Sequence, residues 1–168
     1  PRPAYAEDKQ AADFYTGTLT RVRALPEVEA AAVVSALSLR QKGWTSPVTV
    51  EGRPAAEFYQ DIRHKEISPE YFQTLGIPIL QGRAFTEMDR PTAPKVVMIN
   101  ARFARLVFPE NDPIGRRVKF TQPDEEGTWR TIVGVVRDHK QGDLRSSVEP
   151  EIYWPQSEAP PSSGTLVI

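Results

Sequence analysis

Apolar positions along this chain fall into short blocks whose spacing changes from one block to the next. Between Lys9 and Leu25, Tyr15, Leu19, Val22 and Leu25 recur at helical spacing with Phe14 beside them, which predicts an amphipathic helix. Arg21 and Arg23 fall in its last turns, where cations suit the negative end of the helix dipole, and Pro26 stops it. Val28 to Leu39 is apolar and rich in Val and Ala, the pattern of a buried strand. A helix joined to a strand by a short turn is half of a split β-α-β unit. Gln41 to Pro54 reads as a loop, broken by Gly43, Pro47 and Gly52, with Val48 to Glu51 as a short edge strand.

The next blocks are sharper. Phe58 to Ile67 reads as a strand. Ser68 as N-cap, Pro69 at the first helical position and Gly76 at the end frame a helix whose apolar side is Tyr71, Phe72 and Leu75. Ile77 to Leu80 is a short strand, and Gly82 marks a turn. Lys95 to Ile99 is a run short enough for a strand buried on both faces. Asn100 then caps a helix carrying Phe103, Leu106 and Val107, which Pro109 ends. Arg116 to Phe120 alternates as a half-exposed strand, and Gln122 to Gly127 is a hairpin loop. Thr128 to Val136 is apolar on both faces and is expected inside the sheet; Glu151 to Trp154 and Thr165 to Ile168 are the last strands. Phe72, Leu75, Ile79, Val97, Ile99, Phe103, Leu106, Val133 and Val135 are the expected core. The opening helix has no strand before it and the closing strand has nothing after it, so both ends read as cut from a longer protein.

Charge narrows the function. Lys plus Arg is 21 and Asp plus Glu is 22, a net charge of -1, which argues against a broadly basic nucleic-acid surface. No apolar run approaches the ~18 residues that cross a bilayer, and the polar N-terminus is unlike a secretion signal. With 0 cysteines there are no disulfides or thiolate metal sites. Proline, at 16 of 168 residues, is about twice its usual ~5% and implies many short elements.

Candidate chemistry is sparse. The chain lacks the G-x-x-x-x-G-K-[ST], G-x-G-x-x-G and G-x-S-x-G patterns. His64 and His139 are the only histidines; His64 sits between Arg63 and Lys65, a poor field for a cation, and both read as edge or surface residues. Ser35, Ser38 and Ser46 have no histidine nearby in sequence. No catalytic residue, metal ligand or cofactor is therefore assigned. Trp129 and Trp154 lie in expected strands and read as packing residues, whereas Trp44, in a Gly-Trp-Thr-Ser-Pro loop, is the residue singled out as an exposed contact.

Six phrases in order resemble a known family: Arg21 to Val28 (RVRALPEV), Ile67 to Arg83 (ISPEYFQTLGIPILQGR), Val96 to Pro109 (VVMINARFARLVFP), Asp112 to Arg117 (DPIGRR), Thr131 to Val136 (TIVGVV) and Pro150 to Tyr153 (PEIY). Together they resemble the periplasmic core domain of MacB/FtsX-type ABC transporter permeases. That resemblance implies an α+β fold. Its split ferredoxin-like (β-α-β) lower part, incomplete here, takes residues 1–40 and 157–168, and a mixed α/β upper part is inserted at 41–156. It implies an extracytoplasmic domain of an inner-membrane protein, not an enzyme, that couples ATP-driven motion to export or signalling. The implied partners are a cytoplasmic ATP-binding subunit reached through a membrane stalk, a second permease copy and a periplasmic or outer-membrane protein. Two other readings stay open: an extracytoplasmic module binding peptide, lipid or sugar with loops around Trp44 and Glu125, and a hydrolase.

Overall fold

Helix α1 (Asp8–Arg23) turns Tyr15, Leu19 and Val22 onto strand β1 (Ala32–Val34), where they meet Val28, Ala31 and Val33. Because side chains alternate along a strand, Ala32 and Val34 face the other way, onto Tyr71 and Phe72 of α2 (Tyr71–Thr74). The structure is a computed structural model that describes residues 8–37, 44–53, 61–121, 126–140, 147–158 and 163–168.

The remaining elements are β2 (Trp44–Pro47), β3 (Thr49–Val50), β4 (Asp61–Ile67), β5 (Ile79–Gly82), β6 (Val96–Asn100), α3 (Ala101–Val107), β7 (Arg117–Lys119), β8 (Arg130–Val136), β9 (Glu151–Pro155) and β10 (Thr165–Val167). Among the described residues the strands form one mixed sheet in the order β10-β1-β4-β9-β6-β8-β7-β3, with β2 also on β4 and β5 also on β8. The β4/β9 and β6/β8 pairs are parallel and the others antiparallel.

Strand β6 shows how the sheet is buried. All five of its residues are buried: Val97 and Ile99 join the layer under α3 with Phe103 and Val107, while Val96 and Met98 join the opposite layer with Phe72 and Phe85. Asn100 ends the strand and caps α3, its Oδ1 accepting the Phe103 N–H at 2.9 Å. In β8 the alternation slips by one residue. Val97 pairs with Ile132 but Met98 pairs with Gly134, so Val133 is the extra residue of a bulge. The Val133 carbonyl accepts from Arg83 N at 2.9 Å, and a Cβ on Gly134 would lie 2.4 Å from Arg83 O.

Several expectations need correction. Leu75, Ile79 and Leu106 are 36%, 37% and 36% exposed, because no element among the described residues covers the outer side of α2, β5 or α3, and Val133 is only partly buried. Of the strand expected over Val28 to Leu39, the described residues form strand only at Ala32–Val34, and Ser38, Leu39 and Glu125 lie outside the described residues. The loop expected at Gln41 to Pro54 contains β2 as well as β3. Gly82 closes β5 at φ 71° and does not sit in a free turn. Trp129 precedes β8.

These glycines give opposite expectations. Gly134→Ala drives a methyl into the Arg83 carbonyl and the Met98 side chain and is expected to destabilise by about 2 kcal/mol or more. Gly17→Ala, inside α1 with nothing within 4 Å of the new Cβ, is expected to stabilise by roughly 0.5–1 kcal/mol. Urea unfolding of the two variants measures both.

Candidate functional site

The α1–β1–β10 unit meets the main sheet where β1 runs against β4, and two serines complete that ladder. The Cα partners are Val34 and Ile67. On either side, Ser68 N donates to Val33 O at 2.9 Å and Ser35 N donates to Glu66 O at 3.0 Å. The return bonds go to hydroxyls: Val33 N donates to Ser68 Oγ at 3.0 Å, and Glu66 N donates to Ser35 Oγ at 3.1 Å. For Ser68 the reason is local. Its carbonyl already accepts the Tyr71 N–H at 3.1 Å as the chain enters α2, so the hydroxyl takes the ladder bond instead. Ser68 is therefore not the N-cap its sequence context suggested. The residue before α2 is Glu70, and no side chain caps that helix.

Arg23 ties the end of α1 across the same junction. Its guanidinium donates to Ala31 O at 2.9 Å and to Glu70 Oε2 at 2.5 Å. Both charged side chains are about one-third exposed, so this ion pair is worth at most about 1 kcal/mol. Deeper in, Gln156 N donates to Ile67 O at 2.9 Å and carries the junction on to the end of β9.

Behind the junction, the parallel β4/β9 pair buries a charged cluster. Lys65 lies opposite Tyr153, and Glu151 shares their face two residues earlier. Lys65 and Glu151 are both 0% exposed, with Lys65 Nζ 3.2 Å from Glu151 Oε1. The Tyr153 hydroxyl donates to Glu151 Oε2, and the His139 ring stacks on Tyr153 at 6.2 Å. Desolvation pushes the Glu151 carboxyl up and the Lys65 ammonium down in spite of their attraction. Burial, reinforced by the Lys65 charge, lowers His139 to about 4.

The opposite face of the same strands is aromatic. His64 packs edge-on against Phe120 and Trp154, with ring centres 5.3 and 5.1 Å away, and Arg130 lies over the Trp154 ring at 4.7 Å. Here the structure joins a serine and a histidine that are far apart in sequence: Ser46 Oγ and His64 Nε2 are 3.0 Å apart. Glu66 Oε1 is 3.9 Å from His64 Nδ1 and accepts the Trp154 N–H at 2.8 Å. The Ser46–His64 contact joins β2 to β4 beside their ladder. The two histidines lie on opposite sheet faces, because their ring partners Trp154 and Tyr153 are consecutive on β9. Among the described residues no group of three or more His, Asp or Glu side chains is arranged to hold a metal. Trp44 stands on β2, paired with His64 across the ladder and 71% exposed.

The serine-completed ladder and the buried lysine could not be read from local pattern, since each depends on a strand distant in sequence. The one available signal was a lysine and two glutamates within strand segments that are otherwise buried (Lys65, Glu66 and Glu151).

Two outcomes follow from the buried cluster. Lys65→Met removes the ammonium beside the buried Glu151 carboxyl and is expected to cost about 3–5 kcal/mol in denaturant unfolding. Adding Glu151→Gln, which keeps an acceptor for Tyr153, is expected to recover most of that loss. His139 takes up its proton near 6.5 when unfolded and at about 4 when folded. Stability from the neutral ring is thus complete above about pH 6.5, shrinks as pH falls, and stops changing below about 4. The imidazole NMR titration is expected to show that low midpoint, and His139→Gln to flatten this part of the stability profile.

Comparison with known proteins places this geometry. Residues 3–167 match the family model described as MacB-like periplasmic core domain. Over 91 residues the chain is 30% identical to the macrolide export ATP-binding/permease protein MacB of Mannheimia succiniciproducens, a match covering 54% of this chain and 13% of that protein. The periplasmic region of MacB from Actinobacillus actinomycetemcomitans superposes with a TM-score of 0.60 at 18% identity, over 86% of this chain and 56% of that one. The extracellular domain of the noncanonic ABC-type transporter YknZ from Gram-positive bacteria gives 0.60 at 16% identity, over 92% and 72%. The chain thus spans little more than half of the MacB periplasmic region and a small part of the whole transporter. With the family model matching nearly every residue, the chain belongs to the MacB-like periplasmic core domain family.

Proposed function

We propose that this chain is a stiff, non-catalytic lever on the extracytoplasmic side of an inner-membrane ABC transporter permease. In this reading residues 1–40 and 157–168, which contain α1, β1 and β10, form the stalk-proximal part, and residues 41–156 form the upper part inserted into it. ATP hydrolysis in a cytoplasmic subunit moves the stalk, the stalk moves α1 and β1, and the β1/β4 ladder carries the displacement into the upper sheet. A second permease copy supplies the body against which this one moves, and the upper part meets a periplasmic or outer-membrane partner.

The observation that carries this reading is the continuity of hydrogen bonding from β10 through β1 into β4 and β9. A packed sheet joined by a full ladder transmits displacement instead of absorbing it. The serine hydroxyls matter here because they supply two of the four bonds at the joint.

The intact permease, reconstituted with its ATP-binding subunit, tests the proposal. Ser35→Ala with Ser68→Ala leaves two buried N–H groups unmet, each at a cost of about 1–3 kcal/mol. ATP hydrolysis is expected to persist while transport or signalling falls. Unchanged coupling in that variant, or calorimetric binding of ATP by this domain alone, contradicts the lever.

A further inference from the structure

A groove of about 580 Å³ runs between one side of α1 and the segments that follow β5 and β9, within the ~300–1,000 Å³ typical of ligand sites. We propose that it binds an uncharged peptide segment of a few residues. This stands apart from the lever reading and does not depend on it.

The lining sets the ligand chemistry. Leu19, which packs on β1, shares the lining with Pro69 and Pro155, and the three give the groove an apolar stretch that one apolar side chain can border. The charges cancel. Arg23 is paired with Glu70 at 2.5 Å, and Arg90 donates to the carbonyl of Glu87, whose own carboxylate shares the rim. The lining thus carries two arginines and two glutamates and no net charge among the described residues. The hydroxyl of Thr20 is already committed to Thr16 O, and that of Ser157 to Asp89 O.

Gln156 is the exception. Its side chain lines the groove and is 6% exposed, yet its amide oxygen has no donor among the described residues. Burying an unmet acceptor is unfavourable. Gln156 is held by its backbone at the junction, where its N–H donates to Ile67 O at 2.9 Å. The terminal amide torsion is soft, and binding in this proposal requires it to turn the side-chain amide toward the groove. A peptide unit offers both an N–H for that oxygen and a C=O for the amide nitrogen, and its side chain can fill the Leu19 patch. A carboxylate or an ammonium offers only half of this set.

Amide NMR of the purified chain, titrated with acetyl-Ala-Leu-Ala-Gly-amide, tests the proposal. The expected result is saturable shifts centred on Thr16, Leu19, Gln156 and Ser157 with a Kd below about 1 mM, and binding weakened about fivefold or more when Asp or Lys replaces the second alanine. Thr16→Trp, a change at an exposed position of the groove wall, is expected to abolish the shifts. Gln156→Met is expected to weaken binding about tenfold while the melting temperature holds or rises, because it removes an unmet acceptor; a purely structural glutamine predicts a lower melting temperature. The proposal is overturned if no saturable shift appears at about 10 mM peptide. It is also overturned if Thr16→Trp binds as the parent does, or if octyl glucoside occupies the groove and the peptide does not.

Discussion

The strands at the middle of this sheet have no wet face, and that condition governs the rest of the structure. The layer under α3 and the layer containing α2 close on β4, β6, β8 and β9 from opposite sides. Any polar group in those strands must then find its partner inside the protein. Lys65 finds Glu151, Glu151 also accepts from Tyr153, and Glu66 accepts from Trp154. The same demand acts on the backbone at the β1/β4 joint, where the Ser35 and Ser68 hydroxyls accept the N–H groups that carbonyls do not.

From this follows the division of labour between the two faces near β4 and β9. One carries a buried ionic cluster, in which desolvation works against both charges. Such a pair adds little net stability, but removing one partner is costly, and it penalises any slip of β4 against β9 that would separate Lys65 from Glu151. The other face carries His64, Phe120 and Trp154, an aromatic cluster with Arg130 stacked on it. One face thus favours register and the other favours packing, and both suit an element that must move as a unit.

Local signals in the chain were legible where the physics is local. The buried run ending at Ile99, the Asn100 cap and the following helix appear where the pattern puts them, because strand burial, capping and helical spacing all act within a few residues. The sheet interior was partly legible, since Val97, Ile99, Phe103 and Val135 are buried. Leu75, Ile79 and Leu106 were misread because apolar periodicity reveals a face but not whether another element covers it. Strand β2 was unreadable because Ser46 and Pro47 are poor strand formers, held in place by pairing with β4 and by the Ser46–His64 contact. Ser68 was misread for a subtler reason: the residue pattern of a helix cap also suits a serine whose hydroxyl bridges two strands. The serine bonds at the junction and the Lys65–Glu151 pair join segments distant in sequence, and neither motif nor spacing encodes such pairs.

On the lever reading, the joint between the α1–β1–β10 unit and the rest of the sheet is as rigid as the sheet itself. Native-state hydrogen exchange reads this directly, amide by amide. The account predicts that the Val33, Ser35, Glu66 and Ser68 amides exchange only on global unfolding, with the same free energy as Val97 and Ile99 in β6. Exchange of those four amides through a separate, lower-energy opening, while β6 stays protected, would contradict it.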